Sequence, residues 1–272
     1  MAVDINTVTE FVPAPGATWR DGDAWLGGGT WLFSQPQPSV RRLLDLASFG
    51  WAPLSQSDDG LEITATCTLG ELCAWRPRFR WPAAVLARQC CDALLASFKV
   101  QHVATVGGNI CLSLPAGSMT SLAASLDGVA TLVAPGGTVR EMPVADFVTG
   151  DGANALRTGE LLRSMFLPAS SLRCRAAFRQ VSLSPVGRSA VLVIARSSPE
   201  SGETVVTVTA STPRPLVLRF GAPPSPESAV AVLDAAFPEY LDDVHGNAPW
   251  REAMTRRGVA EAAAELRSES WP

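Results

Sequence analysis

The chain has 272 residues, 47% of them hydrophobic and 18% charged, with 22 glycines and 21 prolines; this describes a folded, turn-rich protein able to bury a large core, and excludes a disordered or fibrous chain. Lys and Arg total 22 against 26 Asp and Glu, a net charge of −4, so a basic face that tracks a phosphate backbone is not expected and nucleic-acid binding is set aside. No aliphatic run approaches the ~20 residues of a membrane span, and the opening MAVDINTVTE has neither a basic nor an apolar leader region, which gives the cytoplasm as the expected location.

In chain order, residues 24–26 (AWL) read as a short strand that enters Gly27-Gly28-Gly29-Thr30, after which apolar residues resume at Trp31-Leu32-Phe33. Residues 40–46 (VRRLLDL) are a helix end or a second strand, so the first fifty residues form a small α/β unit. Asp58-Asp59-Gly60 marks a turn, residues 61–66 a strand, and Thr68 with Glu71 the Thr-x-x-Glu capping box of a short helix. Residues 83–98 place Val85, Leu86, Cys90, Ala93, Leu94 and Phe98 on one helical face. A second glycine loop follows at Val106-Gly107-Gly108-Asn109, then a Pro-Ala-Gly turn at 115–117 and a short helix at 121–126. Residues 128–133 and 138–142 form a hairpin across Pro135-Gly136-Gly137, and 161–167 a strand ended by Pro168.

The polar stretch 169–175 is the expected domain boundary. Beyond it, 178–181, 189–196 and 204–209 read as three strands, the Pro-rich 213–226 as a linking loop, and 229–237 and 250–266 as helices, a small sheet backed by helices. Six cysteines without a CxxC pair and only two histidines, His102 and His245, present no recognised zinc or iron–sulfur spacing. The cysteines read as buried reduced thiols, and Trp75, Phe79 and Trp81 as core packing or a partner surface.

Glycine clusters occur where pyrophosphates are held, because a backbone N–H meets an anion only where no side chain obstructs it. This chain has two, at 27–29 and 107–108. If the fold joins them, their amides form one nest around a diphosphate, with hydroxyls from Thr30 and Thr105 and the amide of Asn109 beside it. The better-known motifs are missing. There is no GxxxxGK[ST], no GxGxxG opening a long helix, and no GxSxG elbow, so a P-loop ATPase, a Rossmann dehydrogenase and a serine hydrolase are disfavoured.

The stretches 26–32 (LGGGTWL), 104–110 (ATVGGNI), 115–117 (PAG), 159–162 (GELL) and 167–168 (LP), then 178–180 (FRQ), 243–246 (DVHG) and 250–251 (WR), resemble in order and spacing the FAD-binding medium subunit of the molybdenum hydroxylases, the xanthine dehydrogenase and carbon monoxide dehydrogenase family. The resemblance implies an α+β fold. A two-subdomain FAD-binding domain of the vanillyl-alcohol-oxidase (PCMH) type would occupy residues 1–170, divided near residue 55. A C-terminal flavoprotein domain, 171–272, would carry a small three-stranded antiparallel sheet packed on helices.

It also implies FAD contacts from Leu26, Gly27, Gly28, Gly29, Thr30, Trp31 and Leu32 on one side of the pyrophosphate and from Thr105, Gly107, Gly108 and Asn109 on the other. Leu162 is expected near an end of the cofactor, and Arg179 stands where the family often has a lysine. Ser118 replaces the acidic residue usual after Pro-Ala-Gly, and Gln101-His102 an Arg-Asn pair. No residue of the chain is expected to act as a catalytic acid or base or to ligate a metal. The expected role is electron transfer, from iron–sulfur clusters in a small subunit, fed by a molybdenum cofactor in a large subunit, through FAD to an external acceptor, in a dimer of heterotrimers. The alternatives are a self-standing FAD-dependent oxidase or dehydrogenase, and a flavin-free module whose glycine loops are only turns.

Overall fold

The computed structural model describes residues 7–268. Strands β1 (Glu10–Pro13), β2 (Asp23–Leu26) and β3 (Arg42–Asp45) form a parallel sheet in the order β1-β3-β2. Arg42 and Asp23, opposite each other in the β2/β3 register, close an ion pair at 2.6 Å. That bidentate hydrogen bonding holds the Asp23 carboxyl below the usual carboxylate range. Asp45 then caps a 3-10 turn, Leu46–Phe49, which ends at Gly50 in the left-handed region.

The hairpin of β4 (Leu54–Ser57) and β5 (Gly60–Thr64) turns at the expected Asp58-Asp59. Helix α1 (Leu69–Ala74) starts at the expected capping box, with Thr68 Oγ1 accepting from Glu71 N and the Glu71 carboxylate accepting from Thr68 N. The single helix expected over 83–98 is instead a 3-10 turn (Pro82–Ala84), helix α2 (Val85–Ala93) and helix α3 (Phe98–Gln101). Leu95 breaks it by entering the left-handed region at φ 53°, and Ser97 caps the restart.

Helix α4 (Val106–Leu112) contains the second glycine pair, which the sequence placed in a loop. Helix α5 (Ser118–Ser125) begins three residues before the expected position, where the Asn109 side chain accepts the Met119 N–H at 3.2 Å. Next come β6 (Val129–Val133), β7 (Val139–Pro143), α6 (Val144–Phe147), the small pair β8 (Val148–Gly150) and β9 (Ala153–Asn154), and β10 (Leu161–Pro168). The second sheet has the order β4-β5-β10-β6-β7 and is antiparallel throughout.

After α7 (Ala169–Leu172) the chain forms β11 (Arg175–Val181), β12 (Val191–Ser197), β13 (Thr204–Thr209) and β14 (Leu216–Phe220), then α8 (Pro226–Ala235) and α9 (Ala248–Arg267). The expected three-stranded sheet is corrected to four strands in the order β11-β12-β13-β14. The fourth lies in the stretch assigned to a Pro-rich loop. Its prolines, 213, 215, 223, 224 and 226, all fall outside residues 216–220, so β14 keeps every backbone N–H and pairs along the edge of β13. Strand β12 is buried along its whole length because the sheet is covered on both faces. Helices α8 and α9 pack on one side, and α5 and α2 bring the core of the first 170 residues onto the other.

Candidate functional site

The two glycine stretches, about eighty residues apart in sequence, touch. Strand β2 delivers the chain into Gly27-Gly28, and Gly28 passes so close to the 103–104 backbone that a Cβ there would lie 1.7 Å from Val103 O. A Cβ on Gly27 would lie 2.9 Å from Thr105 Oγ1. Only glycine permits this approach at position 28. The amides of Gly27, Gly28, Gly29 and Thr30 find no hydrogen-bond partner among the described residues. Thr30 and Trp31 are exposed and Leu32 is half-buried, on a turn where Phe33 N donates to Gly29 O. Leu26 is the last residue of β2, opposite Asp45.

The second stretch is engaged differently. Thr105 N-caps α4, its Oγ1 accepting from Gly108 N at 3.0 Å, while Val106 N donates to Cys67 O and Gly107 N to Ala65 O. Asn109 N donates to Thr105 O. The two sides of the expected nest thus differ in this structure. The amides of residues 106–109 are bonded within the fold, and those of 27–30, Gly29 buried and Thr30 exposed, have no such partner among the described residues. Gly107 owes its identity to packing, since a Cβ would sit 2.4 Å from that of Ala65. Gly108 is exposed, and a Cβ there would meet only Thr105 Oγ1.

Between these stretches and β10 lies a cleft of about 250 Å³. Trp25, Leu46, Ala65, Cys111, Leu156, Leu161 and Leu162 make an apolar lining, and Gly27, Thr105, Gly107, Gly108 and Glu160 complete it. Trp25 is fixed by its Nε1–H donating to Gly159 O at 3.3 Å. Burial pushes the Cys111 thiol up to about 12, so it stays protonated as part of the wall. Glu160 is buried, its carboxylate accepting two bonds from Arg140, at 2.9 and 2.7 Å, and one from Arg157 N. The Arg140 guanidinium holds that carboxyl down at about 2. The negative charge is therefore spent on Arg140 and on the turn before β10, and does not confront an anion in the cleft.

Of the expected cofactor residues, the structure gathers Gly27, Thr105, Gly107, Gly108 and Leu162 on this cleft, with Gly28, Gly29 and Thr30 adjoining. It does not bring Ser118 or Arg179 to it. Ser118 is buried with its hydroxyl donating to Cys90 O at 2.5 Å, and Arg179 pairs with Glu261 and Glu265 of α9 at 3.3 and 2.6 Å. Asn109 uses its carbonyl oxygen to start α5. Trp25, Cys111, Leu156 and Glu160 line the cleft without having been singled out for it; the 159–162 stretch, three of whose residues line the cleft, was the available signal for Glu160.

The other motif residues are structural. Trp75, Phe79 and Trp81 lean on one another and on the core. His102 is exposed, with Nδ1 2.7 Å from Phe98 O. In the 243–251 stretch, Arg251 is fully buried and donates to Gly246, Ala190 and Ala210 carbonyls and to Asp243, stitching the start of α9 to β12 and β13. Among the described residues no group of three or more His, Cys, Asp or Glu is placed to hold a metal ion, and no helix is long and apolar enough to cross a membrane.

Residues 8–170 match the family model described as the FAD binding domain in molybdopterin dehydrogenase. Over 121 residues, 42% of the chain, it is 26% identical to xanthine dehydrogenase 2 of Arabidopsis thaliana; this covers 9% of that protein, so the chain corresponds to a small part of the curated relatives it matches. Two solved structures share the fold over almost its full length. Carbon monoxide dehydrogenase from Hydrogenophaga pseudoflava, in a form lacking the Mo-pyranopterin moiety, aligns with a TM-score of 0.79 at 19% identity, covering 96% of this chain and 99% of that one. Quinoline 2-oxidoreductase from Pseudomonas putida 86 aligns with a TM-score of 0.73 at 21% identity, covering 91% of each.

Proposed function

The chain belongs to the family of FAD-binding domains of molybdopterin dehydrogenases, and from that premise we propose that it is the FAD-carrying electron-transfer subunit of a molybdenum-containing hydroxylase. In this reading residues 1–170 form the cofactor domain, of the vanillyl-alcohol-oxidase type with subdomains meeting near residue 55, and 171–272 the C-terminal domain. The observation that carries it is the junction of the two glycine stretches, where four unpartnered amides lie beside an apolar cleft. That donor set suits a pyrophosphate, and the walls of Trp25, Leu156, Leu161 and Leu162 suit a flat aromatic group at one end of the dinucleotide.

In that role Gly27, Gly28, Gly29 and Thr30 donate their N–H groups to the phosphate oxygens, with the Thr105 hydroxyl beside them. Leu162 and Trp25 close the cleft against water. Trp31 and Leu32, on the exposed turn beyond, flank the cofactor's path, and Asn109 supports it by fixing α5 behind α4. Bound FAD supplies the redox chemistry, accepting electrons singly or in pairs. The chain contributes position, hydrogen-bond donors and exclusion of water, and no acid or base of its own.

The electron source in this proposal is an iron–sulfur small subunit supplied by a molybdenum-cofactor large subunit, in a cytoplasmic dimer of heterotrimers, and the electron sink is an external acceptor. Copurification with flavin and iron–sulfur absorbance and two further subunits is the expected result. A colourless chain that takes up no added FAD contradicts the flavin role; a flavin-loaded chain that turns over a small substrate alone contradicts the subunit role.

A further inference from the structure

The stretch between α1 and α2 carries cations that the fold does not neutralise. Residues 72–91 hold four arginines and no acidic residue, in a chain whose net charge is −4. Arg88 pairs with Asp92 at 3.1 Å, whereas Arg76, Arg78 and Arg80 are exposed and meet no carboxylate among the described residues. The backbone that carries these three is clamped. Gln56, on β4 at the edge of the five-stranded sheet, donates from Nε2 to Arg76 O at 3.4 Å and accepts from Arg78 N at 2.9 Å. Beneath them Trp81 is buried in the core, with the rings of Phe79 and Trp75 centred 4.9 and 6.3 Å from it. Trp81 N donates to Phe79 O at 3.0 Å, a tight turn with Arg80 at its apex. Arg76 turns its guanidinium back on Cys73 O and Trp75 O, at 3.2 and 2.7 Å, and keeps its charge. The Arg78 and Arg80 side chains have no hydrogen-bond partner among the described residues.

We propose that residues 76–80 are a docking surface for an acidic peptide segment of a partner protein, its carboxylates taken by the Arg78 and Arg80 guanidinium groups while the Arg76 charge adds attraction. A planar guanidinium fork matches a carboxylate in geometry as well as in charge. Because the backbone is already fixed, only side-chain freedom is lost when the segment binds. A nucleic acid fits less well. The rings that would stack on bases are turned into the core. The negative balance of the chain opposes a long polyanion, while a short segment meets only the local field, charges beyond about 10 Å being screened. None of the three arginines lines the cleft, so the surface stands apart from the flavin reading.

The test follows the fluorescence anisotropy of a labelled octaglutamate peptide titrated with the full-length protein, at low and at physiological salt, with and without added FAD. Octaglutamine and an oligothymidylate of matched charge are the comparisons. The expected result is saturable binding of octaglutamate that weakens as salt rises and is the same with or without FAD, no binding of octaglutamine, and weaker binding of the oligothymidylate. Arg78→Ser with Arg80→Ser is expected to weaken octaglutamate binding roughly tenfold, and Arg78→Lys with Arg80→Lys about threefold, because lysine keeps the charge and loses the fork. Arg173→Ser with Arg214→Ser, which removes two exposed cations of other segments, is expected to bind as the parent does. Circular dichroism of each variant separates a lost contact from a lost fold. No binding at low salt, unchanged affinity in either the serine or the lysine pair at 78 and 80, an equal loss from the pair at 173 and 214, or tighter binding of the oligothymidylate overturns the proposal.

Discussion

Glu160 lines the cleft with its charge already paired inside the fold. Its carboxyl is held at about 2, against an ordinary 4.5, chiefly by the Arg140 guanidinium. A folded-state value below the unfolded one stabilises the protein in full above about pH 4.5, and this contribution fades as pH falls from there through about 2. Glu160→Gln is therefore expected to cost about 1–3 kcal/mol at pH 7, seen in a urea melt, and to flatten the fall in stability between pH 5 and 3. An unchanged midpoint at pH 7 contradicts the assignment. At Gly28 the reason for the residue is steric, and Gly28→Ala, whose Cβ would meet Val103 O at 1.7 Å, is expected to force the two stretches apart, lowering both Tm and flavin content.

At the scale of elements, the strongest local signals held. The Thr68/Glu71 box starts α1 where expected, and Thr68→Ala should lower stability by about 1 kcal/mol in thermal unfolding, with an unchanged Tm counting against the cap. The failures came where tertiary context decides. Periodicity ran on through 83–98 because it senses apolar spacing and cannot see that Leu95 turns left-handed. Prolines flanking 216–220 masked an edge strand that exists only because β13 pairs with it. Glycines 107 and 108 read as a loop and lie in the first turn of a capped helix, α4, where they still line the cleft. Arg179 and Ser118 were inferred from motif position, and the sequence carries no sign of the partners the fold gives them on α9 and α2.

For the whole molecule, the decisive contact is between Gly27-Gly28 and residues 103–105, which the sequence suggested as a pairing of remote turns and the fold supplies by setting β2 beside the start of α4. The most direct test of the account is the FAD content per chain of Gly108→Val against the parent, measured from flavin absorbance after loading with excess FAD and desalting. Position 108 is exposed and a Cβ there lies within 4 Å of Thr105 Oγ1 alone, at 2.9 Å, so a small shift of that hydroxyl accommodates it and the variant is expected to keep a circular dichroism spectrum like the parent's. The account predicts about one FAD per parent chain and a loss of at least tenfold in the variant's affinity, the branched side chain occupying the approach to the cleft. Equal flavin content in the two proteins contradicts it.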